Sequence, residues 1–215
     1  LPASTTKVMT AILVMEKLKL DKYVTVSANA VGAQPSKIYV KKGERYKVSD
    51  LLYAILLKSA NDASIVLAEA VAGSESAFVN MMNKKAKAIG AKHTKFANSN
   101  GLPSQSTQYT TAYDMYLIFR HALKYPFFRD VIKKKYATIR SSTGRKISLK
   151  SHNTILFNNW KRKLYGKTGY TRKAQACFVG TMEDKGRTLI IGVFGCTRRW
   201  DDIRKIVRKY GGISL

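Results

Sequence analysis

Ser4-Thr5-Thr6-Lys7 is the only Ser-x-x-Lys in the sequence. On a helix, a serine and a lysine three places apart share a face, with their Cβ atoms roughly 5–6 Å apart. If the amine is neutral, it can take the hydroxyl proton and turn Ser4 into an acyl-transfer nucleophile. Burial in an apolar helix packing and a second nearby cation both lower a lysine pKa in the needed direction. Taken alone the pattern is weak, because ordinary Ser and Lys usage yields about one chance match in a chain of this length.

Ser-x-Asn occurs at Ser27, Ser59 and Ser151, and only context selects among them. Ser59-Ala60-Asn61 alone interrupts an apolar helix, where a polar turn needs internal hydrogen-bond partners or a cleft to face. Lys167-Thr168-Gly169 occurs once, at the end of an expected strand. There the glycine admits a ligand backbone, and Lys with Thr can bind a carboxylate. The plain alternatives are a self-satisfied helix break and an ordinary strand end. The order of the three, on a buried helix, a helix break and a strand, is far more specific than any one of them.

The elements needed to hold these groups are legible in outline. Val8, Ala11, Ile12, Met15 and Leu18 fall at helical spacing, and Met9, Leu13 and Val14 make the middle apolar nearly all round, so a helix from Ser4 to about Lys19 is buried on most sides. A polar, glycine-bearing stretch reaches about Lys47. Helix is expected from Asp50 to about Lys58 and again from Asp62 to Ala72. Ser74 caps the next, with Gly90 at its C-terminal end, and Thr111 caps another that runs to Leu123 and is ended by Pro126. Beyond Lys135 the texture turns to β-prone runs at Tyr136 to Arg140, Lys146 to Lys150, Lys163 to Gly169, Ala174 to Met182 and Arg187 to Gly195, then an amphipathic helix from Asp201 to Tyr210. A hairpin turning near Asp184 to Gly186 would set Cys177 opposite about Val193, so Cys177 and Cys196 are expected to be unbridged.

Lys and Arg number 39 against 13 Asp and Glu, a net charge of +26. Such a field draws anions. The chain has no paired zinc-ligand spacing, RNP-like aromatic motif or basic-zipper pattern, so no nucleic acid partner is assigned. An anionic membrane surface or wall polymer explains the charge equally well, as does a merely solvated surface. His93, His121 and His152 are scattered without metal-ligand spacing. No run approaches the roughly 18 apolar residues that a membrane span needs.

The three motifs together resemble the penicillin-binding proteins and serine β-lactamases. The stretches Ala3 to Thr10, Leu51 to Ala72, Phe96 to Leu102, Thr111 to Met115 and Gly166 to Thr171 are similar to the low-molecular-mass serine D-alanyl-D-alanine carboxypeptidases. The resemblance implies an α+β fold in which a mainly antiparallel sheet is flanked by helices, with a helical subdomain over about 48–125 and C-terminal strands over about 136–195 of a single catalytic domain. It also implies strands that precede the nucleophile helix, outside this sequence.

By the same resemblance Ser4 is the nucleophile and Lys7 its base. Ser59 relays the proton to the leaving D-alanine, Asn61 holds the substrate backbone, Lys167 supplies positive potential, and Thr168 meets the terminal carboxylate. Gly169 lines the substrate strand, and the N–H groups of Ser4 and Tyr170 form the oxyanion hole. Arg198 is expected to aid carboxylate binding, with Arg199 as the other choice. Peptidoglycan stem peptides and β-lactams are the implied partners, no cofactor is implied, and the implied location is outside the cytoplasmic membrane. Ala60 and Gln175 stand where the family commonly has glycine. A class A β-lactamase would need a deacylating glutamate between the second and third motifs, and none follows Glu75 there. A catalytically silent, basic, polyanion-binding protein is the alternative from another class.

Overall fold

The structure, a computed structural model, describes residues 1–214. A 3₁₀ turn, Ala3–Thr6, leads into α1 (Lys7–Lys17), followed by β1 (Tyr23–Thr25), α2 (Ala28–Val31), β2 (Arg45–Lys47) and α3 (Val48–Tyr53). A π-helical turn, Ala54–Lys58, then gives way to α4 (Asn61–Ala72), α5 (Glu75–Ala88), α6 (Ala112–Ala122) and α7 (Pro126–Val131). The C-terminal part comprises β3 (Tyr136–Arg140), β4 (Lys146–Lys150), a 3₁₀ turn at Thr154–Phe157, β5 (Tyr165–Thr171), β6 (Gln175–Asp184), β7 (Arg187–Cys196) and α8 (Arg199–Gly211).

Helix α1 is the centre of the helical half because it has almost no polar face. Val8, Met9, Ala11, Ile12, Leu13 and Val14 are all buried, and they pack in one core with residues of α3, α4, α5 and α6. Each large side chain so buried stabilises the fold by about 1.5–3 kcal/mol. That surplus lets α1 also bury Lys7.

The five expected strands form antiparallel pairs in the expected order, as two small sheets, β3 with β4 and β5-β6-β7, and an unexpected third pairs β1 with β2. Lys185 and Gly186 both have positive φ, which fits the tight two-residue turn between β6 and β7. One face of the larger sheet packs Phe178, Met182, Ile191 and Val193 against Ile203 and Val207 of α8. The other face sends Val179, Ile190 and Phe194 to the helical core.

Some expectations are revised. A β-bulge between Ala176 and Phe178 sets Phe178 opposite Val193 and Ala176 opposite Cys196. Cys177, whose register was read one residue off, sits at that irregularity, and both cysteines are free thiols. Pro126 does not only end α6; it opens α7 at the first helical position, where its missing N–H costs nothing. The stretch before Lys47 contains β1, β2 and α2, which are too short to show periodicity. Among the described residues no single helix is long and apolar enough to cross a membrane.

Candidate active site

The three motifs converge on one cleft of about 380 Å³ lined by Ser4, Ser59, Asn61, Thr168, Gly169 and Tyr170, together with Pro35, Ser36, Leu102, His152 and Arg199. Ser4 lies in the 3₁₀ turn at the mouth of α1 and remains partly accessible, while Lys7, the first residue of α1, is fully buried. Lys7 Nζ is 3.0 Å from Ser4 Oγ, 2.7 Å from Asn61 Oδ1 and 2.7 Å from the carbonyl oxygen of Asn100. Two of these partners can only accept, whereas the hydroxyl can also donate. A neutral amine with two N–H groups and one lone pair therefore fits this environment completely, its lone pair facing the Ser4 hydroxyl. Burial and the nearby Lys167 push the Lys7 pKa far below 10.5, with Asp62 acting weakly the other way.

Ser59 stands where the π-helical turn stops, at φ 61°. A left-handed conformation at a non-glycine residue stores backbone strain on the order of 1–3 kcal/mol, and it persists because both flanking segments are locked in the core. Ala60 N–H donates to Ala54 O on one side, and Asn61 N–H donates to Ser36 O on the other. The Asn61 amide is fixed end to end: its oxygen faces Lys7 and its nitrogen donates to Gln34 O at 2.8 Å. The next residue, Asp62, buried and facing away, accepts backbone N–H groups from Ile38, Val40 and Ala63. It thereby ties down the loop whose Pro35 and Ser36 form the cleft rim.

On the opposite wall, Lys167 of β5 pairs across the ladder with Val179 and is as deeply buried as Lys7. Its Nζ is 3.0 Å from Ser59 Oγ and 2.9 Å from Thr168 O. Burial first, and then the Arg199 charge, lower its pKa to about 7. Gly169 lets β5 pass close to the turn that holds Ser4: an added Cβ there would fall 3.0 Å from both Ser4 N and Ala3 Cβ, so the turn would have to give by a few tenths of an ångström. Gly101, at φ +84°, presses on the same turn, and a Cβ there would fall 1.8 Å from Ala3 O.

Arg198 does not enter the cleft. It is 79% exposed and pairs with Asp201 at 2.7 Å. Its neighbour Arg199, the first residue of α8, lines the cleft instead. Arg199 Nη1 donates to Gly169 O and Cys177 O, both at 3.2 Å, and its guanidinium lies over the Trp200 ring.

Asn100, behind the cleft, and the wall residues Pro35, Ser36, Leu102 and His152 were not given a site role from sequence. The Asn100 carbonyl is presented to Lys7 by a loop held by Asn98 Oδ1 on Gly101 N, Thr10 Oγ1 on Ser99 O, and Glu75 on both the Ser99 N–H and hydroxyl. His152 lies in the Ser-x-Asn at Ser151, which was set aside. Its backbone N–H donates to Leu57 O, and burial with the surrounding lysines lowers its pKa to about 4, so the ring is neutral near pH 7. None of the residues lining the cleft is Asp or Glu. Among the described residues no three of His, Cys, Asp and Glu gather as a metal site would need.

A serine hydroxyl facing a neutral lysine, with a second serine-lysine pair across the cleft, defines the active-serine class of acyl-transfer site. The profile of peptidase S11, D-alanyl-D-alanine carboxypeptidase, matches residues 1–198, and the chain belongs to that family. D-alanyl-D-alanine carboxypeptidase DacF of Bacillus subtilis is 35% identical over 206 residues, covering 91% of this chain and 51% of that protein. DacA of Escherichia coli K12 is 32% identical over 206 residues, covering 90% and 50%. This chain thus spans about half the length of these curated relatives.

Among solved structures, a D-alanyl-D-alanine carboxypeptidase from Mycobacterium tuberculosis superposes with a TM-score of 0.90 at 30% identity, over 99% of this chain and 82% of that one. The Streptomyces K15 DD-transpeptidase gives 0.88 at 28%, over 98% and 87%. The fold is accordingly the α+β penicillin-binding type, as the motif resemblance implied.

Proposed function

We propose that this chain is the catalytic part of a penicillin-sensitive D-alanyl-D-alanine carboxypeptidase acting on peptidoglycan stem peptides outside the cytoplasmic membrane. The observation that carries the reading is the 3.0 Å contact between Ser4 Oγ and the amine of a buried Lys7 whose pKa is far below 10.5.

In this mechanism Lys7 takes the Ser4 proton as Oγ attacks the penultimate D-alanine carbonyl. The N–H groups of Ser4 and Tyr170 hold the resulting oxyanion, an arrangement in which one donor is worth about 2.7–4 kcal/mol. The positive end of α1 favours negative charge at the same place and disfavours an ammonium on Lys7. As the intermediate collapses, the Ser59 hydroxyl passes a proton to the departing D-alanine amine and is reprotonated from Lys7 or Lys167. Thr168 and Arg199 bind the terminal carboxylate, with Asn61 on the substrate backbone. Water then hydrolyses the ester and frees Ser4.

With no carboxylate in the cleft to activate water against a penicilloyl ester, that adduct is expected to be long-lived, which separates this reading from a β-lactamase. Intact-mass measurement after incubation with benzylpenicillin, followed by peptide mapping, is the test. A stable single adduct on the peptide holding Ser4, lost in Ser4→Ala, is expected. No adduct on correctly folded protein would instead favour the silent binding protein.

A further inference from the structure

From Val131 through Met182 the sequence has no Asp or Glu, while lysines and arginines recur throughout. The β3–β4 hairpin gathers part of this excess onto one face. Its register sets Tyr136 opposite Lys150, Thr138 opposite Ser148, and Arg140 opposite Lys146, and all six are exposed while Ile139 and Leu149 are buried beneath them.

Two cations directly across a ladder repel each other, and among the described residues no ion pair neutralises Arg140 or Lys146. Glu44 is engaged by Arg145 at 2.7 Å, and Asp50 accepts the backbone N–H of Arg140. Among the described residues no carboxylate lies within 4 Å of the Lys135, Arg140, Lys146 or Lys150 side-chain nitrogens. Cations at both ends of the face, about 14 Å apart along the strands, with two hydroxyls between them, make up the composition that contacts phosphate oxygens.

The face also leads to the cleft. Strand β4 runs directly into His152, which lines it, and Phe157 follows, packed edge-on against Tyr136 at 5.5 Å. Lys135 and Lys150 cap the Phe157 ring at 5.9 and 5.2 Å.

We propose that the outer face of this hairpin, Tyr136, Thr138, Arg140, Lys146, Ser148 and Lys150, is a docking surface for a linear polyol-phosphate polymer, holding the protein with the mouth of its cleft beside that polymer. The capped Phe157 ring offers no apolar face to insert into a bilayer, so a lipid surface would be held by charge alone, without using the hydroxyls between the cations. A single exposed ring, Tyr136, is no series of stacking platforms for nucleic acid. Choosing a polyol backbone over other polyanions rests on the wall-facing reading above, whereas the surface itself does not.

The test measures binding of soluble poly(glycerol phosphate) to the full chain across a salt series. It compares Lys135→Gln/Arg140→Gln/Lys146→Gln/Lys150→Gln with a variant of equal charge loss on another face, Lys84→Gln/Lys87→Gln/Lys92→Gln/Lys95→Gln. Acylation by benzylpenicillin reports folding and the catalytic reading separately, and is expected to be unchanged in both. The hairpin variant is expected to lose at least about tenfold in affinity and to flatten the salt slope by about 3, the control losing less than threefold. Equal losses in the two variants would overturn the surface. Tighter binding to phosphatidylglycerol vesicles or to a single-stranded oligonucleotide of matched charge would overturn the choice of partner.

Discussion

Lys167 and Lys150 are both strand lysines in small antiparallel sheets on the two sides of His152, yet their surroundings carry them to opposite states. Lys167 is sealed between β5 and the Ser59 turn with Arg199 nearby, and it titrates near pH 7. Lys150 faces solvent across from Tyr136, as Arg140 and Lys146 face each other. Water screens the exposed group, whereas burial makes the sealed one choose between a costly charge and neutrality. Net charge alone therefore says little about chemistry in this protein. The same residue type is pushed toward neutrality where it is enclosed and keeps a lasting field where it is open.

The contrast can be broken most severely at Lys7. Lys7→Arg puts a permanently charged guanidinium where a neutral amine is needed, and benzylpenicillin acylation is expected to slow by roughly 10³-fold. A loss under tenfold, measured by stopped-flow or mass kinetics, would show that neutrality at this position is not required.

Lys167→Met should lower acylation by about 10²-fold while raising the melting temperature by a few degrees, since it removes a buried amine whose ionised form is disfavoured. The sign of the accompanying pH effect follows from linkage. Between about pH 7 and 10.5 the unfolded chain keeps a proton on Lys167 that the folded chain has lost, so this group makes stability rise with pH across that window. Denaturant titrations at pH 7 and pH 9.5 should show that part of the rise gone in the variant.

A smaller effect is expected from Arg199→Gln, about tenfold in acylation. Removing its charge raises the Lys167 pKa, so the alkaline limb of the pH profile should move upward. A limb that stays in place would assign it to another group. Smallest of all, Arg140→Gln should leave acylation unchanged and add at most about 0.5 kcal/mol of stability by relieving the pair with Lys146, an increment that fades at high salt.

The parts that sequence disclosed are those with a period or a fixed spacing. The apolar recurrence through α1, the β-prone runs of β3 and β4, and the three short motifs all survive translation into space because neighbouring residues determine them. Sequence offered Arg198 and Arg199 but not the choice between them, because the ladder there is irregular beside Cys177, a tertiary event with no local signature. Asn100 contributes only a main-chain carbonyl, which any residue type could offer, and its position depends on Asn98, Thr10 and Glu75 reaching the loop from three directions. His152 was legible as a residue but not as a wall, because what brings it there is the Leu57 carbonyl far back in the chain.

Gly101 and Gly169 both close on the Ala3–Ser4 peptide: a methyl group at 101 has no space, and one at 169 would force the turn to give by a few tenths of an ångström. Ser4 is thus gripped in a vice whose jaws are main chain. Changes in surrounding side chains can alter how tightly such a vice is braced, but they cannot move its jaws, so the serine keeps its address while the rest of the cleft is free to drift.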